Sequence, residues 1–257
     1  MTSASANAGV QWDEATVRRL TRFMRVAIVA LILVAALDVV AIGFDVSYQH
    51  LIDRLVAGTF VSPSDAQSAD DRQSTIALIH VLVALLVAIP FIAWFREAYI
   101  NVGRLGIHGL RFTRGWTIGA WFVPILNFAR PKAIADDIWR GSDPRLPAYA
   151  GFAQGPVPWF LNVWWGAFLA SWILGRIASN VEQGSHSAST LSTANKLLMT
   201  SDAADLVAAI LAIVVVYQTT GRQWKRAAAV TQSAPTEPPR GAARIWGAYE
   251  EGGTDSR

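Results

Sequence analysis

Four apolar runs, at 26–44, 76–95, 159–178 and 203–219, divide the chain, each close to the roughly 20 helical residues that cross a hydrocarbon core of about 30 Å. The last is the shortest and gains length by recruiting 197–199. A fifth apolar piece, "GWTIGAWFVPILNF", has only fourteen residues (115–128) before Arg130, too few to cross at 1.5 Å per residue. Pro124 removes a backbone donor inside it, and Pro131 suits the first turn of a new helix. In "PKAIADDIWR", Ile134 and Ile138 share one face while Lys132 and Asp136 pair at four residues on another. The pattern predicts an all-α membrane protein: a four-transmembrane-helix bundle with a cytoplasmic-side re-entrant or interfacial hairpin and amphipathic helix at 115–140.

Charge orients this bundle. Arg18, Arg19, Arg22 and Arg25 precede the first run, and eight Lys or Arg residues lie between the second and third. The 45–75 connection holds only Arg54 and Arg72, and the 179–202 connection only Lys196. Cationic loops stay on the cytoplasmic side, so both termini are expected inside, in a multi-pass protein of the plasma membrane. Composition agrees: 53% hydrophobic and 16% charged residues with mean hydropathy +0.32 depart from the roughly 25% charge of soluble domains. The pI near 9.5 then follows from the inside bias and indicates no nucleic-acid surface. A basic inner rim favours anionic lipid headgroups. The absence of cysteine excludes disulfides and thiolate chemistry. The first run starts late, is a full span long and carries Asp38, which reads as a signal anchor and not a cleaved leader.

The expected organisation is a cytoplasmic tail and interfacial helix over 1–25, a membrane domain over 26–219 and a disordered cytoplasmic tail over 220–257. Within the first part, 1–11 is small and polar, and 12–25 can form a short amphipathic helix. The outer connection begins with "YQHLIDRLVAG", spaced for a short surface helix, and continues as "VSPSDAQSADDRQS", which reads as a solvated flexible stretch. The second outer loop, "NVEQGSHSASTLSTAN", is short and polar. Small residues recur at four-residue steps in the third run (Ala167, Ser171, Gly175) and the fourth (Ala204, Ala208, Ala212), a pattern that lets helix backbones approach in lipid. General abundance of alanine is the alternative explanation.

Non-helical backbone at membrane depth must be covered by protein or face water, so the hairpin needs partners. In "WFREAYINVGRLG", Trp94, Glu97, Asn101 and Arg104 form one polar stripe headed by an aromatic. Glu97 or Asn101 is expected to satisfy backbone freed by Pro124, in a network that also holds Trp121, Asn127, Arg130 and Pro131. Asn162 is a further candidate to bond the hairpin, or else caps its helix. The order "WFREAYINVGRLG", "RFTRGWTIGAWFVPILNFARPKAIADDIWRGSDP" and "WFLNVWWGAFLASWILGRIAS" resembles a bacterial integral-membrane family, frequent in actinobacteria, catalogued as domain of unknown function 4328. The resemblance covers roughly 23–219 and is most specific over 116–139; the outer connection fits least. It implies a four-helix membrane domain with the hairpin inside, and no reaction or ligand.

Ionisable groups inside a membrane cost about 2.5–3.5 kcal/mol each on insertion scales, so each is a functional candidate. Asp38 lies about 18 Å and Arg176 about 25 Å from the inner ends of their runs, while His80 and Asp205 lie within about 6 Å of the outer ends. Arg176 is expected to pair with Asp38 or Asp205, with His80 nearby, either as a structural pair fixing helix register or as a site open to the outside. Catalytic motifs are absent: His50, His80, His108 and His186 show no zinc-binding spacing, and no nucleophile elbow or phosphate loop occurs. "GRLGIHG" follows a membrane helix and reads as a turn. Asp136 and Asp137 read as a solvated face, with a cation or acid–base role as the alternative. No cofactor and no metal are expected. Three classes of function stay open: a non-enzymatic accessory or scaffold protein of the envelope contacting lipid, a protein partner or a second copy; a small oligomeric transporter or channel; and a lipid-processing enzyme using Asp136, Asp137 or Asp38.

Overall fold

Asp13 starts the first helix by accepting a 2.8 Å hydrogen bond from the Thr16 backbone N–H, and Ser62 caps the second likewise through Asp65, with Pro63 in the first turn. The computed structural model describes residues 13–147, 150–151, 154–184 and 187–233. These form α1 (Glu14–Val56), α2 (Pro63–Arg104), α3 (Trp116–Phe122), a 3₁₀ turn (Leu126–Phe128), α4 (Arg130–Gly141), α5 (Trp159–Gly184) and α6 (Ala188–Ser233). Three of them, α1, α2 and α6, are long and apolar enough to cross a membrane.

α1 packs between α2 and α6, and α6 packs between α1 and α5. The inward face of α1 runs from Leu20 through Leu31, Asp38 and Asp45 to Gln49 and Ile52 at three- and four-residue steps. α5 lies against α6 through the small-residue faces: Ser201 Oγ donates to the Ser171 carbonyl at 2.8 Å, and a Cβ on Gly175 would stand 3.3 Å from Ser201 Oγ. α2 and α5 are not close-packed neighbours, and aromatic side chains from the hairpin fill the space between them.

Several elements run further than sequence composition suggests. Residues 14–25 are the first turns of α1 itself, not a separate surface helix. After the first apolar run α1 continues unbroken to Val56 and α2 already begins at Pro63, which leaves a short turn where a flexible stretch is expected. The second outer loop is likewise largely helical. Cross-helix hydrogen bonds account for this order. Gln73 donates to Asp45 (2.6 Å), Tyr48 to Asp70 (2.8 Å), and Gln49 to Ser192 (2.8 Å). Asn195 donates both to the Asp45 carbonyl and to Gln49. The polar residues that suggest a solvated loop are the contacts of a hydrogen-bonded bundle.

At the opposite end of the bundle α6 continues past Thr219 to Ser233, where a disordered tail is expected. Thr220 accepts from Trp94 Nε1 (3.0 Å), and Gln223 Nε2 donates to the Ala98 carbonyl (2.8 Å). Arg226, 0% exposed, donates to the backbone carbonyls of Leu105, Asp143, Leu146 and Pro147 at 2.8–3.1 Å, tying α6 to the end of α2 and to the chain beyond α4. A Cβ on Gly141 would meet Val102 Cγ1 at 2.3 Å, so α4 lies against α2 as closely as glycine allows. The expectations for 1–12 and 234–257 fall outside the described residues.

Candidate functional site

Asp38 on α1, His80 on α2 and Asp205 on α6 converge where those helices meet. Their ligand atoms lie within 4.8 Å of one another, with His80 Nε2 2.8 Å from Asp38 Oδ1 and 3.8 Å from Asp205 Oδ2. Asp38 is 0% exposed and its Oδ2 has no hydrogen-bond partner among the described residues. Ser171 Oγ on α5 stands 3.3 Å from Asp205 Oδ1. A cavity of about 290 Å³ borders the cluster on the side of the α1–α2 turn, lined by His80, Asp205, Asp202, Asp45 and Gln73 among apolar residues, with no Lys or Arg among the described residues. A second cavity of about 290 Å³ continues inward, apolar and lined by Val34, Val87, Phe91, Trp164, Phe168 and Trp121. Ala84 and Asp205 line both, so Asp205 sits at the junction of a polar and an apolar compartment.

The expected pairing of Arg176 with Asp38 or Asp205 is not formed. Arg176 is exposed and has no carboxylate within ion-pair distance among the described residues. Its phase on α5 explains this, because it lies about 140° around the helix from Ser171, which faces α6. His80 occupies the place assigned to it. Asp45, Gln49, Gln73, Asn195 and Asp202 complete the outer cluster and are missing from the sequence expectations. The signal that could have found the first two is the spacing 38–45–49, which continues the inward face of α1.

The inner network forms with different partners. Glu97 accepts from Arg104 (2.7 Å) and pairs with Arg19 (3.0 Å), and Asn101 Oδ1 accepts from Arg104 (2.9 Å), so neither serves the backbone freed by Pro124. A carboxylate beside two guanidiniums is satisfied by charge-assisted bonds, and the hairpin relies on tryptophan. Trp165 Nε1 donates to the Phe128 carbonyl at 3.1 Å. Trp121 meets Phe91, Phe95, Trp165 and Phe168 edge to face with centroids 5.6–6.1 Å apart. The Arg130 guanidinium stacks 3.8 Å from the Trp116 ring, and Asn127 Oδ1 is buried without a partner among the described residues. Asn162 is exposed and makes no bond to the hairpin. Pro131 is buried in the first turn of α4.

At the hairpin tip Leu126 N–H bonds the Pro124 carbonyl (2.8 Å) around Ile125 at φ +68°, ψ −47°, a γ-turn of the strained kind for a β-branched residue. Ile125 is 81% and Phe122 70% exposed. Phe128 reaches Trp172, thirteen residues into α5, at a centroid distance of 5.3 Å.

Asp137 is fully buried on α4 and paired with Arg111, while Asp136 pairs with Lys132, so neither is a free solvated face. Burial pushes the Asp137 carboxyl up, against the opposing pull of the Arg111 guanidinium. A raised folded pKa means that this group's stabilising contribution is full below the unfolded carboxylate range and is lost as pH rises through the folded value. Arg111→Ala removes the opposing charge, so its stability deficit should be about 2 kcal/mol near pH 7.5 and smaller near pH 4.5. Thermal midpoints of both proteins at the two pH values check this; a deficit that grows on acidification would contradict it.

No curated protein and no solved structure matches the chain. One family model does, over residues 57–221, which takes in α2 to α5 and most of α6 and leaves α1 outside. That span is well over half of the 257 residues, and the chain belongs to the family described as domain of unknown function (DUF4328).

Proposed function

We propose that this is a four-span protein of the cell membrane, with both termini cytoplasmic, that acts as a non-enzymatic accessory protein by binding a cationic ligand in its outer cavity. The carrying observation is Asp38: a fully buried carboxylate with an unpartnered oxygen, beside a cavity that holds three more carboxylates and one histidine. Such a cluster is short of positive charge, and a buried charge is tolerated only when compensated.

Support for α5 as the fourth span comes from its length, about 39 Å for 26 residues, and from Val163, Trp172, Ile173 and Ile177, which expose apolar surface along it as Val29, Leu33 and Val40 do on α1. The depth reached by Phe128 on α5 supports a re-entrant hairpin whose exposed tip meets lipid. Exposed Arg22, Arg25, Arg96 and Arg114 supply an inner rim for anionic headgroups. Binding is favoured over conduction because the second cavity is apolar and walled by Trp121, so an ion moving into it loses its carboxylates with no polar replacement.

Because the chain has no cysteine, single cysteines report topology directly. Cysteine at Ser64 or Ser189 should react with an impermeant maleimide on intact cells, and cysteine at Thr113 or Gln232 only after permeabilisation; the opposite pattern would overturn the orientation. For the ligand, the full chain in nanodiscs is titrated with Zn²⁺, Mn²⁺, Ca²⁺ and n-octylammonium. At least one should raise the melting temperature of the native protein and not of Asp38→Asn. A flat response to all four would overturn cation binding.

A further inference from the structure

We infer that Asp38, His80 and Asp205 form a divalent transition-metal site of the zinc class, with an open coordination position toward the outer cavity. The inference rests on the cation-binding reading above and gives the cation its identity.

The donor set is the first reason. One imidazole nitrogen and two carboxylate oxygens lie within 4.8 Å of one another, drawn from three different helices. Tetrahedral ligands at about 2.0–2.2 Å from zinc stand a little over 3 Å apart, so side-chain shifts of about 1 Å bring this set into coordination. As ligands the two carboxylates bring two negative charges, which a divalent ion neutralises and a single imidazolium does not. Imidazole beside carboxylate selects zinc and its neighbours over magnesium or calcium, which take oxygen alone.

The second reason is independent of the cluster's composition. Asp38 is completely buried, its Oδ2 has no hydrogen-bond partner among the described residues, and the His80 it pairs with lines the polar cavity. A carboxylate oxygen left bare inside a bundle is accounted for by a ligand that is not protein. Surrounding groups fit the same reading. Ser171 Oγ lies 3.3 Å from Asp205 Oδ1, where it can orient that ligand from α5. Asp45 and Asp202 line the approach from the outer end and present no cation to compete. Three protein ligands and a cavity at the fourth position make an open site, one that can also take a water or a donor group from a second molecule.

The test uses the full chain in nanodiscs. Zinc-edge X-ray absorption on the native protein loaded with one equivalent of Zn²⁺ should show a nitrogen and oxygen shell at about 2.0–2.2 Å with one imidazole. Absence of imidazole scattering would overturn the assignment without recourse to any variant. His80→Gln should weaken Zn²⁺ affinity by at least about 100-fold, since loss of a second-shell group alone costs about 10–100-fold. Its response to n-octylammonium should persist. Equal Zn²⁺ affinity in native protein and His80→Gln would place the metal elsewhere and overturn the site. If Zn²⁺ fails to bind while n-octylammonium still stabilises through Asp38, the metal assignment falls and cation binding stands.

Discussion

Replacing Arg226 with alanine should lower the thermal midpoint of the full chain in nanodiscs by about 10 °C. The guanidinium is fully buried and its two terminal nitrogens each hold two carbonyls, Nη1 those of Asp143 and Leu146, Nη2 those of Leu105 and Pro147. Alanine strands acceptors that were satisfied by charge-assisted bonds. Each buried acceptor left without a partner costs about 1–3 kcal/mol, and partial access of water to the loop carbonyls brings the total to about 3–5 kcal/mol. Lysine should not rescue the loss, because one ammonium cannot occupy the positions of two nitrogens fixed in a planar fork. Intrinsic tryptophan fluorescence on heating measures the effect. A midpoint within about 2 °C of the native value for Arg226→Ala would show that α6 is held at the inner face by other contacts.

Trp121→Ala should be comparably severe and should act on the space between α2 and α5. Four edge-to-face contacts from one indole span that space, two to α2 and two to α5, where the helix backbones do not close-pack. Removing a large aromatic from such a position costs about 3–5 kcal/mol, here as lost dispersion, since lipid tails provide little hydrophobic drive between helices. Trp121 also walls the inner cavity, so its removal enlarges an apolar void. Spin labels at Leu85 and Ile173, exposed positions on α2 and α5, should give a broadened distance distribution in the variant. Trp121→Phe should retain most of the native behaviour, because Trp121 Nε1 has no hydrogen-bond partner to lose. An unchanged distribution in Trp121→Ala would mean that α2 and α5 are spaced without the wedge.

The long apolar helices and the break at Pro124 are legible in the chain because both follow from local length, hydropathy and proline chemistry. The outer helical extensions are not. Ser, Asp and Gln near 64–75 and 187–195 look like solvated loop until Asp45, Gln49 and Asn195 are placed opposite one another, and that pairing joins residues nearly 150 positions apart. Inside the spans, residue type identifies Asp38, His80 and Asp205, but choosing among their partners needs helix phase. Arg176 is the obvious cation by charge, yet Ser171 and Gly175 already fix the inward face of α5 and leave Arg176 turned away. The same holds inside: Glu97 and Asn101 lie near the hairpin along the chain, but Arg104 and Arg19 reach them first.

The position of α1 between α2 and α6 also sets an order of assembly. α6 is the last helix to be synthesised, about 180 residues after α1 is complete, which at 5–20 residues per second is roughly 10–35 s. Throughout that interval Asp38 and Asp45 sit on a helix side whose eventual cover does not yet exist. Until then α1 has α2 beside it, where His80 and Gln73 partner the two carboxylates, and lacks the α6 contacts of Asp205 and Asn195. The outer polar cluster is therefore completed only when the last helix arrives, and a chain ending before residue 188 holds Asp38, Asp45, His80 and Gln73 without Asn195, Asp202 and Asp205.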